Sequence, residues 1–188
     1  MPRTRTPISL EVIPALVERG FRAIGKSIAP LQRVNLAALV AIETARGRSV
    51  VANNIGNISA AESYPGPIWR PPWFADPSHP THAQMLAGRA PRAFRAYATP
   101  EDGARAFAAL LSSPNYARLM RAANQPDAVV FLRALSERYS PDYGPQHAPT
   151  LRALQRDFGL GSLPGATGGG SDLATLLLLG LIAWAWWK

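Results

Sequence analysis

The stretch Leu39-Val40-Ala41-Ile42-Glu43-Thr44-Ala45-Arg46-Gly47 carries an apolar run into a single acid and then a polar turn. Asn53-Asn54-Ile55-Gly56-Asn57-Ile58 follows shortly after. Upstream, Leu36-Ala37-Ala38 extends the apolar run, so the segment reads as a helix buried nearly all round. A carboxyl at the end of such a helix is partly desolvated, which disfavours its charged form and raises its pKa. A general acid working at neutral pH needs that property. The competing expectation is a plain solvated glutamate, the ordinary state of a lone helical acid.

Outward from this helix, periodicity and punctuation set the rest. A first helix is expected from about Ile13 to Ala23, with Pro14 in its first turn. The second should run from about Leu31 to Ala45, with Gly47 suited to stopping it. Thr99-Pro100-Glu101-Asp102 is a strong helix start: a cap, a proline at the first position and acids in the first turn. Ser113-Pro114 opens a further helix holding Tyr116, Leu119 and Met120; two more are expected at about Pro126 to Arg138 and Pro149 to Phe158. Between residues 50 and 98 the period is lost, and prolines 65, 67, 71, 72, 77, 80 and 91 exclude a long helix. That stretch reads as an irregular lobe with short strands, Phe94 to Ala98 the clearest. Tyr64, Trp69, Trp73 and Phe74 are concentrated there, either as platforms for flat apolar faces such as sugar rings or as the lobe's own small core.

Composition bounds the chemistry. The 188 residues suffice for one domain with a real core plus an appendage, and 47% hydrophobic content argues against wholesale disorder. With no cysteine, disulfides and thiolate metal sites are excluded. His79 and His82 flank a proline-broken loop beside Asp76, a poor setting for metal ligands, and no cofactor or metal is expected. The net charge of +8 suits an acidic polymer or an anionic surface. Its arginines are scattered without a run or stripe, as compositional bias in an Ala- and Arg-rich chain would also give, and no zinc-finger or RNA-recognition signature is present, so no nucleic-acid partner is expected.

Residues 1–8 form a basic tail without the apolar stretch of a secretory signal. Residues 9–160 form the expected domain, and 161–172 a glycine-rich linker. Residues 173–188 are apolar and end in three tryptophans and Lys188, as at a membrane interface. As a helix this run spans about 22 Å, short of a hydrocarbon core of about 30 Å. A membrane anchor is the leading expectation; a buried or partner-docking helix is the alternative.

Glu43-Thr44-Ala45-Arg46-Gly47 resembles the Glu-Ser/Thr-x-x-Gly motif of the endo-β-N-acetylglucosaminidases of glycoside hydrolase family 73 and their lysozyme-like relatives. Asn53 to Ile58 is similar to the asparagine-rich loop that follows. Phe94-Arg95-Ala96-Tyr97 is similar to the family's F-x-x-Y strand, and Tyr139-Ser140-Pro141-Asp142-Tyr143 resembles its Y-A-T-D-x-x-Y segment. The blocks occur in the family's order, across residues 9 to 158. The resemblance implies a mainly α fold (α+β), a lysozyme-like helical domain with a small irregular β-lobe, followed here by the C-terminal hydrophobic helix.

It also implies cleavage of peptidoglycan glycan strands with Glu43 as the acid. Tyr139 would line the cleft near it, or pack a helix end with its hydroxyl bonded. Asn54 and Asn57 would hold sugar amides or simply build the turn. Tyr97 would be half core and half groove wall, and Tyr143 would contact sugar, with Trp69 and Trp73 joining it if they are platforms. Glycosidases commonly use a second carboxylate, although N-acetylated sugars can supply their own amide. Asp76 is the first candidate for that second acid and Glu62 the next; neither matches a motif. Arg46 stands where the family often has an aromatic residue. The asparagine-rich loop is also similar to that of phage lysins and lytic transglycosylases, so the choice between hydrolysis and transglycosylation stays open. A non-catalytic murein-binding protein on the same fold is the rival from another class. The expected location is a membrane, with the domain facing the wall in the periplasm, or a virion of a phage or prophage.

Overall fold

In the computed structural model, residues 6–160 are described. Among them are seven α-helices and one two-stranded antiparallel sheet, a mainly helical fold with a minor β element. The helices are α1 (Ile13–Arg22), α2 (Pro30–Glu43), α3 (His82–Leu86), α4 (Pro100–Leu111), α5 (Ala117–Ala122), α6 (Ala128–Arg138) and α7 (Ala148–Asp157). The strands are β1 (Ile68–Trp69) and β2 (Phe94–Arg95), with Ile68 opposite Arg95 and Trp69 opposite Phe94.

α2 is the centre of the helical body. Every residue from Val34 to Ala41 is buried, so the expectation of a helix enclosed on all sides holds. α1 and α7 pack against it, and α4 packs along α1. Large side chains such as Phe21, Leu36, Phe107, Phe131 and Leu135 fill the core. A buried polar clasp crosses it: Asn35 donates to the carbonyls of Ala123 and Gln125, and Gln155 donates to Asn35 at 2.7 Å. Every polar atom named in that clasp has a partner, which is the condition for burying it without penalty.

α2 stops two residues earlier than the glycine signal predicts. Thr44 Oγ1 donates to the Val40 carbonyl at 2.6 Å and accepts from the Gly47 amide. Ala45 and Arg46 then take left-handed conformations, at φ 48° and 62°. This is costly for residues with a Cβ and is sustained by the surrounding bonds. Gly47 does serve the turn, at φ +83°, but a Cβ there would lie 2.0 Å from the Ile8 carbonyl oxygen. The cause is close passage of the N-terminal segment, since Thr6 and Ile8 donate to the Val50 and Gly47 carbonyls. Residues 6–8 are therefore tied to the domain, whose expected start was residue 9.

Residues 50–98 form the lobe. Its core is small: Val51, Ala52, Trp69 and Ala96, with Phe94 packed against them. The five-residue helix α3 was not expected, because prolines on its N-terminal side mask so short a segment. Among the described residues no helix is long and apolar enough to cross a membrane. The linker at 161–172 and the hydrophobic segment at 173–188 lie outside them.

Candidate active site

The early end of α2 makes Glu43 its last helical residue. The side chain is half-buried there, at the negative end of the helix dipole, where a carboxylate is disfavoured. Asn57 donates from Nδ2 to Glu43 Oε2 at 2.6 Å and to the Glu43 carbonyl at 3.0 Å. Tyr143 donates its hydroxyl to Glu43 Oε1. Burial pushes the Glu43 pKa up; the bonds from Tyr143 and Asn57 pull against it, and the charge of Asp142 adds to the rise. The balance is upward, so the protonated form persists above the usual glutamate range.

Asn57 reaches this position from a left-handed backbone, at φ 45°, on a turn whose Ala52 and Asn53 are also left-handed. Asparagine tolerates that region better than most residues. Beside it, Tyr139 donates its hydroxyl to the Gly56 carbonyl. The Tyr139 ring lies edge-on to Tyr143 and to Tyr116, with centroids 6.3 Å and 6.5 Å away. Burial and the neighbouring Glu43 hold both Tyr139 and Tyr143 well above the ordinary tyrosine pKa, so both remain neutral hydroxyl donors.

A groove of about 560 Å³ runs between the helical body and the lobe. Asn57 and Tyr139 stand in its wall with Tyr116, Arg89 and Arg95. Glu43 is one hydrogen bond behind that wall, through Asn57. On the far side of Tyr143 a second hollow of about 230 Å³ lies against α6. The volume of the groove is that of an ordinary small-ligand cleft.

Glu43, Asn57, Tyr139 and Tyr143 are thus brought together, the last two from a segment about 100 residues away. The other expected residues are placed elsewhere. Asn54 is buried, with Nδ2 donating to the Ile58 and Arg95 carbonyls and Oδ1 accepting from the Ile58 amide, so its amide holds the turn and is not free for sugar. Trp69 and Trp73 are only 8% and 7% exposed and pack around Phe94, which corrects the stacking-platform expectation in favour of the lobe core. Tyr97 is half-buried against the first turn of α4, and burial raises its pKa.

Asp76 is exposed, and its carboxylate accepts from the Ser78 amide and hydroxyl, which lowers its pKa. It lies outside the groove wall. Glu62 is exposed and pairs with Arg92 at 3.6 Å. Neither acid is joined to Glu43 by any contact. His79 and His82 serve the lobe, through the Thr81 amide and the Trp73 carbonyl. Among the described residues no group of three or more His, Asp or Glu could hold a metal ion.

Sequence reasoning missed Tyr116, Arg89 and Arg95 in the groove and Asp142 beside the acid. For Asp142 the signal was present, within the Tyr139–Tyr143 segment. Comparison with protein-family models, curated proteins and solved structures finds no match to this chain.

Proposed function

We propose that this protein cleaves the glycan strands of peptidoglycan, with Glu43 as the general acid, on a lysozyme-like helical domain. The observation that carries the reading is the carboxyl of Glu43, its pKa pushed up by burial and its seat one hydrogen bond from a groove. The ordered resemblance to the glucosaminidase motifs supports it, and three of its residues, Asn57, Tyr139 and Tyr143, converge on that carboxyl or the turn beside it.

Glu43 would protonate the glycosidic oxygen as the bond to the anomeric carbon breaks. Among the described residues no carboxylate lines the groove, and Glu43, behind Asn57, is the acid joined to its wall by a hydrogen bond. That favours a mechanism with one protein acid, in which the substrate's own N-acetyl group supports the oxocarbenium-like centre. A lytic transglycosylase, which closes an anhydro ring with a single acid, fits the same observation. Asn57 and Tyr143 act as positioning residues that fix the carboxyl. The apolar segment at 173–188 would tether the domain near its polymer and raise its effective concentration there.

Zymography against purified murein tests the reading. Wild type should clear the gel, and Glu43→Gln should lose about 10²–10⁴-fold in rate. Absence of clearing by wild type, or clearing undiminished in the variant, refutes Glu43 catalysis. Mass spectrometry of the new ends separates a reducing sugar from a 1,6-anhydro product. Deleting residues 171–188 should release the protein from membranes; unchanged partitioning would refute the tether.

A further inference from the structure

Two arginines, Arg89 and Arg95, stand on the lobe wall of the groove. Arg95 is held at both backbone groups, its amide donating to the Ile58 carbonyl at 3.0 Å and its carbonyl accepting from Asn54. Its guanidinium lies 4.6 Å above the Tyr64 ring, with the Tyr97 hydroxyl beside it. Such a seat fixes the plane of the guanidinium at little further entropic cost on binding. Its Nε is buried and has no hydrogen-bond partner. Arg89 stands on the same wall, just past α3, and is exposed. Among the described residues neither arginine forms an ion pair, although seven other arginines do. Among the described residues no carboxylate lines the groove.

A half-buried guanidinium that lines a groove, lies on an aromatic ring and has no ion-pair partner can offer its remaining donors to an anion. We infer that Arg95, assisted by Arg89, forms a subsite for a carboxylate carried on the bound glycan, so that the groove prefers acidic amino-sugar chains to neutral ones. This rests on the proposed glycan-cleaving function and deepens it. The carboxylate class is the one that a planar guanidinium fork matches bidentately and that N-acetyl sugars with free, peptide-stripped lactyl ethers supply.

Binding is measured on the full-length chain carrying Glu43→Gln, so that no ligand is consumed. The probes are a tetrasaccharide of alternating N-acetylglucosamine and N-acetylmuramic acid and the neutral tetrasaccharide of N-acetylglucosamine. The acidic probe should bind about tenfold or more tightly, with an advantage that shrinks as salt rises. Adding Arg95→Gln should erase the advantage and spare the neutral probe, while Arg95→Lys should retain part of it. Because Arg95 also packs on Tyr64, Arg89→Gln at an exposed position serves as the second variant and should cut the ratio by about threefold or more.

Equal affinity for the two probes overturns the subsite, as does a ratio unchanged in both the Arg95→Gln and Arg89→Gln proteins. Wild-type zymography separates the two ideas. Clearing of murein with equal probe affinities leaves the hydrolase and removes the subsite. An arginine-dependent acidic preference without clearing leaves the subsite and removes the hydrolase.

Discussion

Glu43 is pulled two ways, and the pull can be read out against pH. Burial and the helix end favour its protonated form, while the Tyr143 hydroxyl and the Asn57 amide favour the carboxylate. Tyr143→Phe removes one of the opposing bonds and should raise the Glu43 pKa further. A general acid is lost as pH rises through its pKa, so the alkaline limb of the activity profile should move to higher pH. A limb that stays in place, or moves to lower pH, would show that Tyr143 does not set this proton's affinity. The same shift enters stability with a definite sign. A carboxyl whose folded pKa exceeds its unfolded value stabilises the fold fully below the unfolded pKa, and that contribution fades as pH climbs through the folded value. Melting curves of wild type and Glu43→Gln should therefore diverge across that interval, with the variant gaining relative to wild type toward neutral pH. Parallel curves would contradict the raised pKa.

At the scale of elements, the helices were legible because their apolar periods and caps are local. Thr99 caps α4 by accepting from the Asp102 amide, as the Thr-Pro-Glu-Asp start implies. The end of α2 was not legible: Ala45 and Arg46 give no hint in the sequence that they turn left-handed, and the sequence signal pointed to Gly47. The pairing of Glu43 with Tyr143 arises from tertiary packing alone, and only the motif resemblance brought that tyrosine into view. The fate of Trp69 and Trp73 was equally hidden, since rings in a proline-rich stretch serve a surface or a core depending on what folds over them. A second contact between elements fixes the turn that carries Asn57. Gly103, in the first turn of α4, lies so close to it that a Cβ would sit 1.9 Å from the Asn53 carbonyl oxygen. Gly103→Ala should cost about 1–3 kcal/mol through this clash, despite a helix-propensity gain of about 1 kcal/mol. Chemical denaturation measures it, and a variant as stable as wild type would refute the close approach.

Over the whole molecule, one large core serves the helical body and one small core the lobe. The lobe's strands are two residues each, and the amides of Asn53 and Asn54 hold it together from within, bonding the carbonyls of Tyr97, Ala98, Ile58 and Arg95. So few buried apolar contacts place the lobe at the low end of local stability, while α2 approaches the global limit. Hydrogen–deuterium exchange should show Ala60, Ala96 and Tyr97 losing protection well before Leu36 to Val40; uniform protection would contradict it. The consequence is a groove wall whose shape hangs on two side chains: losing either amide would loosen the strand that carries Arg95 while the helical body stays packed.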